Sequence, residues 1–389
     1  MAEELREELL AEMRSLRTVD AHSHTCRPGE YEKAGARSLF SFTSYFDRTI
    51  HSVTGAPTSA LYEGCETEDE RWERLKPVLA KARNISYWRH HVVTHRRLFD
   101  FDYEDLTDEN WRALNDTIRE RTGSREGYRH VTEDVCGLRT QVRNIPWFED
   151  WEPEYFTAIL RMEGALEMHL EGPRRRLEEH LDREIGDLAS CKQALAALVE
   201  DYVQRGAVGI KLAHAYQRTL HSEPVSAVEA SATLDRALLG EKLTELERKR
   251  LQDHMIFFLA ELCGEMGLIF DIHTGVQGNW GRVEESNPLH LLPLIHAHKS
   301  VRFNLYHGGY PFSREIGMLA KHSPNVWLNL AWMFVGTMAG TRRALSEWID
   351  LVPAYRILGF GSDVGWPELI YGHLVMARSC IADVLATKV

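Results

Sequence analysis

The chain has 389 residues, a net charge of −12 and 44% hydrophobic residues. That is enough apolar material for a sizeable core, and an acidic chain has no basic surplus to neutralise nucleic-acid phosphates or an anionic bilayer. Its six cysteines are scattered without a C-x-x-C pair, which argues against a disulfide framework and for reduced thiols in the cytoplasm.

The N-terminal stretch MAEELREELLAEMRSLRT is charged throughout and reads as an amphipathic helix, not a signal peptide. No apolar stretch reaches membrane-spanning length on this reading. TVDAHSHTC follows, Thr18 to Cys26. In a strand, residues i and i+2 share a face, so His22 and His24 project side by side and Ser23 turns away. Residues 27 to about 130 are rich in aromatics and charges at helical spacing. RWERLKPVLAKARNISYWRHHVVTHRRLF and LTDENWRALNDTIRERTG read as helices, the second capped by Thr107. This stretch is expected to be a helical insertion after the first strand, a lid carrying Tyr45, Arg48, Tyr87 and Arg89. His90, His91 and His95 lack the glutamate of an H-E-x-x-H site and are expected on a solvated helix face. His296 and His298 read as surface residues.

From residue 138 onward, short apolar runs alternate with helices. The expected strands are 138–144, 155–162, 207–215, 268–275, 301–309, 326–332 and 356–363. With TVDAHSH they make eight, which predicts an α/β chain folded as a (β/α)₈ TIM barrel in one domain, 1–389. An open doubly wound sheet is second choice, because no Gly-rich phosphate loop follows the first strand.

Chemistry in such a barrel sits at the C-terminal ends of the strands. Those ends carry His22 and His24, Lys211, His273, His307 and Asp363. A ring of polar groups where core residues are expected needs a common partner, and a metal ion satisfies most of them at once. His214 is out of phase with Lys211 and is left aside.

This set resembles the amidohydrolase superfamily: H-x-H on strand one, His on strands five and six, Asp on strand eight. HGGYPFSRE and GFGSDVGWPE further resemble the amidohydrolase-2 branch. SYWRHHVVTHRRL is similar to the aromatic-Trp-Arg helix of uronate isomerases, with Tyr87, Trp88 and Arg89 matching. Ser86 stands where those enzymes place a histidine. Val364 and Gly365 follow Asp363 where they carry an arginine.

The resemblance implies that His22, His24, His273 and Asp363 hold a divalent ion, with zinc expected from the imidazole and carboxylate donors. Lys211 would join them if carboxylated, giving two ions; one ion is the expectation. Asp363 would take the proton from metal-activated water, and His307 would polarise the substrate oxygen or protonate the leaving group. Tyr216, Arg218, Arg314, Trp332, Tyr87 and Arg89 are the candidate substrate-binding residues, their arginines suited to a carboxylate. The leading expectation is a metal-dependent hydrolase of a small carboxylated amide or lactone. The alternatives are a decarboxylase or a uronate-isomerase-like enzyme, and a catalytically silent metal-binding regulatory domain. A small molecule is the expected partner, without nucleic acid or membrane, and a homo-oligomer is left open.

Overall fold

A computed structural model describes residues 2–43, 47–278 and 281–388; Tyr45 lies outside them. Eight parallel strands, hydrogen-bonded in the order β1 to β8, form a nearly closed (β/α)₈ barrel. They are β1 (Thr18–Ser23), β2 (Leu138–Ile145), β3 (Phe156–Arg161), β4 (Gly209–Leu212), β5 (Ile269–Ile272), β6 (Arg302–Leu305), β7 (Val326–Asn329) and β8 (Ile357–Leu358). Sequential order excludes the doubly wound alternative, whose strand order reverses. Most strands are shorter than the apolar runs suggested. His273, His307 and Asp363 therefore sit just past strand ends, on the connecting loops.

The chain divides into two compact units: 1–141 with 331–346 and 359–389, and 142–330 with 347–358. In the first unit, residues 28–135 contain helices and no strand among the described residues. The long helix expected over 71–99 is two, Glu68–Ala82 and Ser86–Leu98, separated at Arg83–Ile85. The next helix starts at Trp111, not after Thr107. Asn110 is the reason: its Oδ1 accepts from the Thr107 N–H at 2.9 Å, closing a turn before the helix begins.

The Ser86–Leu98 helix corrects a second expectation. His90, His91 and His95 are buried, at 0%, 1% and 0% exposure. The cause is the helix Pro367–Lys388, whose Gly372 lets the two backbones approach: a Cβ there would lie 2.3 Å from the His90 carbonyl oxygen. His90 packs 4.0 Å from the His91 ring and 4.5 Å from the His373 ring. His95 lies among Phe42, Phe99 and Phe101. The Pro367–Lys388 helix is also long and apolar enough to cross a membrane by length and composition, contrary to the sequence reading. It is mostly buried against Ala2–Ser15 and Ser86–Leu98, the place of a core helix.

In the second unit, β3 to β8 pair in register, and Ile210, Leu212, Phe270, Ile272, Phe303 and Leu305 are wholly buried. A parallel sheet covered on both faces demands such runs. The register also sets Lys211 opposite Asp271, and Asp271 opposite Asn304, in one polar layer on the other face. His298, expected at the surface, is partly buried against the Phe257 ring at 5.4 Å.

Candidate metal centre

The first unit brings His22, His24 and Asp363 together. His22 Nε2 is 3.2 Å from Asp363 Oδ1, and His24 Nε2 is 3.4 Å from the same oxygen. One ligand atom from each residue lies within 4.8 Å of the others, the cluster of this kind found among the described residues. His22 is buried and His24 exposed, so the group has a buried side and an open side. Ser23 turns away, as expected, and its hydroxyl meets Thr25 Oγ1 at 2.6 Å.

The local backbone explains the convergence. The Asp363 N–H donates to the His22 carbonyl at 2.9 Å, which ties the loop after β8 to β1. Gly361 permits that approach, since a Cβ there would meet Ala331 Cβ at 2.7 Å and His22 Cβ at 3.0 Å. Asp20, two residues before His22 and unremarked in the sequence, secures the same loop. Its Oδ1 accepts from the Ser362 N–H at 2.7 Å and its Oδ2 from the Ser362 hydroxyl at 2.5 Å. Burial pushes the Asp20 carboxyl up to about 7, against the hydrogen bonds from Ser362. The period-two spacing Asp20, His22, His24 is the signal that could have found it.

His273 and His307 belong to the second unit. His307 Nε2 and His273 Nδ1 are 3.0 Å apart, and His273 Nε2 donates to the Val276 carbonyl at 2.7 Å. That bond sets the tautomer, so His273 Nδ1 accepts from His307. An ion bound by His273 would have to replace one of these two partners. Tyr216 packs its ring 4.8 Å from the His273 ring.

Three residues on the loops that follow β6, β7 and β8 carry a left-handed backbone: His307 (φ 61°), Trp332 (φ 63°) and Asp363 (φ 55°). Non-glycine residues held there cost about 1–3 kcal/mol each and collect at functional sites. Trp332 meets Tyr87 edge-on at 5.6 Å, so the structure joins two candidate binding residues within the first unit. The other binding candidates have structural partners. Arg89 lies 3.6 Å from Asp105, and Arg314 is 77% exposed and pairs with Glu347 at 3.1 Å, a surface charge. Arg218 pairs with the buried Asp253 and donates to the His221 carbonyl at 2.9 Å, which fastens the loop after β4 to the helix Glu245–Met266. His214, left aside in the sequence, is wholly buried, and burial depresses it to about 3.

Lys211 is buried, with Nζ 3.3 Å from the centre of the Tyr306 ring. Tyr306 Oη donates to Asp271, whose other oxygen accepts from Asn304 Nδ2 at 2.9 Å. The aromatic face and the nearby Asp271 carboxylate both favour a charged ammonium against the desolvation cost of burial. Lys211→Met is therefore expected to keep the ion content of the wild type, with or without bicarbonate, by elemental analysis. Loss of one ion, with bicarbonate dependence in the wild type, would establish carboxylation instead.

Comparison with known proteins shows what the chain resembles. The family model described as amidohydrolase matches residues 187–373. That segment, just under half of the chain, is similar to the amidohydrolase family. A uronate isomerase from Nostoc punctiforme is 27% identical over 258 residues, 59% of this chain and 53% of the relative. Protein fluG of Emericella nidulans is 28% identical over 196 residues, 47% of this chain and 22% of the relative. The chain thus spans at most about half the length of these curated relatives. Among solved structures, the glucuronate isomerase of Caulobacter crescentus superposes with a TM-score of 0.79 at 18% identity, over 99% of this chain and 88% of the other. At that identity the likeness establishes the fold.

Proposed function

We propose that this chain is a divalent-metal isomerase of a sugar acid, in line with the name of its Nostoc relative, a uronate isomerase, and that it interconverts aldose and ketose forms. The observation carrying the reading is the 27% identity with that uronate isomerase, joined to the resemblance of Tyr87, Trp88 and Arg89 to the aromatic-Trp-Arg helix of such enzymes. Two imidazoles and a carboxylate that converge with an open side suit a divalent ion, so the donor set fits. His22, His24 and Asp363 would hold it, and it would supply polarisation of a substrate oxygen. Isomerisation moves one proton from the hydroxyl-bearing carbon to the neighbouring carbonyl carbon and one from hydroxyl to carbonyl oxygen, with no net oxidation. Asp363 is assigned the carbon-bound proton: it is a carboxylate on a strained backbone in the loop after β8.

The purified chain is expected to carry about one divalent ion, and His22→Ala to lose it. Wild type should convert D-glucuronate or D-galacturonate to the keto form, followed by proton NMR. Metal-free wild type after growth with zinc and manganese, or no turnover of either sugar acid by the metal-loaded chain, rejects the reading.

Hydrolysis of a carboxylated amide or lactone is the second reading. The departures at Ser86 and at Val364-Gly365 favour it, together with the amidohydrolase match over 187–373. N-acyl amino acids and sugar lactones, tested beside the sugar acids, separate the two.

A further inference from the structure

The second unit contains a cavity of about 460 Å³ among the loops after β3, β4 and β5 and the first turns of the helix Glu245–Met266. That volume lies in the range of small-molecule sites, about 300–1,000 Å³. Its lining is almost entirely polar, with Leu170 as the one apolar side chain.

The cations facing it fall into two classes. Arg218 and Lys249 are both held by the buried Asp253, and their charge is spent inside the protein. Arg248 and Arg282 are exposed, and their guanidinium groups have no hydrogen bond or ion pair among the described residues. His169 stands in the same wall, its ring partly buried beside the Leu166 backbone.

We propose that this cavity binds a hydroxylated monocarboxylic acid, such as an open-chain or cyclic sugar acid, with the carboxylate on Arg248 and Arg282. Free guanidinium groups match a carboxylate bidentately. Glu167, Glu245 and Glu285 line the same space and accept from hydroxyl groups. They also oppose a second negative charge, which selects a monoanion over a phosphate dianion. His169 lies beside them in the wall. Burial and the nearby Arg248 lower its pKa, which keeps the ring neutral near pH 7. The site belongs to the second unit alone and needs no metal.

The test is calorimetric titration with D-gluconate, D-glucuronate, D-glucose and glucose 6-phosphate. Wild type is expected to bind the two acids and not glucose, and Arg248→Met/Arg282→Met to bind them at least about tenfold more weakly. Both arginines are exposed, so the variant should fold, and an unchanged melting temperature checks this. His22→Ala, which lacks the metal centre, must still bind the acids. If it does not, the acid is held at the metal centre and the inference fails. Equal binding by the double variant, no binding of either acid at millimolar concentration, or tighter binding of glucose 6-phosphate would also overturn it. Acid binding lost in the double variant, in a chain that isomerises no sugar acid, would uphold this site and reject the isomerase reading.

Discussion

Asp363→Asn is expected to lower kcat by about 10²–10⁴-fold while the chain stays folded. The residue has two jobs in the proposed site, and asparagine keeps one. Its side-chain oxygen can still face His22 Nε2 and His24 Nε2, now 3.2 and 3.4 Å from the carboxylate. It cannot accept a proton. Backbone geometry makes this substitution clean. Asp363 has φ 55°, a region where asparagine is enriched, and its N–H bond to the His22 carbonyl involves no side chain. The melting temperature should therefore stay near that of wild type, and part of the metal should remain. The loss should fall on kcat and kcat/KM together, because proton transfer matters in the transition state. Wild-type turnover in the asparagine variant, on a substrate converted in a metal-dependent way, would move the base elsewhere, with His307 next to test.

His95→Phe is expected to make the protein less sensitive to acid. Burial depresses His95 to about 3, and it holds His90 and His91 well below their ordinary value as well. The unfolded chain binds a proton at His95 below about pH 6.5, whereas the folded chain does so only near 3. Its contribution is thus intact above pH 6.5 and is lost as pH falls from there toward 3. At pH 5 the loss is about 2 kcal/mol for this one residue. Asp20 and Asp271, raised by burial to about 7 and about 6, act in the opposite direction. The whole-protein curve is therefore composite, and the variant isolates the histidine. Phenylalanine suits a site ringed by Phe42, Phe99 and Phe101, and it removes two ring nitrogens that lack partners. Urea unfolding at pH 7.5 and pH 5 should show the variant losing about 2 kcal/mol less than wild type between the two. Equal losses would mean that water reaches His95 and that it titrates near its ordinary value.

The barrel and the strand-end histidines were legible without coordinates, because they rest on local rules. An apolar run of strand length followed by a polar residue has one economical place in a parallel barrel, at the mouth. Period-two alternation put His22 and His24 on one side and turned Ser23 away, and both hold. Residues 28–135 were readable as helical for the same reason, since helical spacing needs only the neighbours along the chain.

What a side chain touches across the fold was not legible, because contact depends on which element arrives opposite. His90, His91 and His95 look like the polar face of a helix until Gly372 brings the Pro367–Lys388 helix onto them. Arg218 and Arg314 look alike as mouth arginines, yet Asp253 captures one and Glu347 meets the other at the surface. Asp20 reads as an ordinary strand residue, and only the return of the chain at Ser362 makes it a clamp on the Asp363 loop. The pattern of residue types along the chain determined that a cluster of metal-binding groups would form at strand ends. Long-range packing decided which charges are free to meet a ligand, because a guanidinium already satisfied inside the protein has little left to offer outside it.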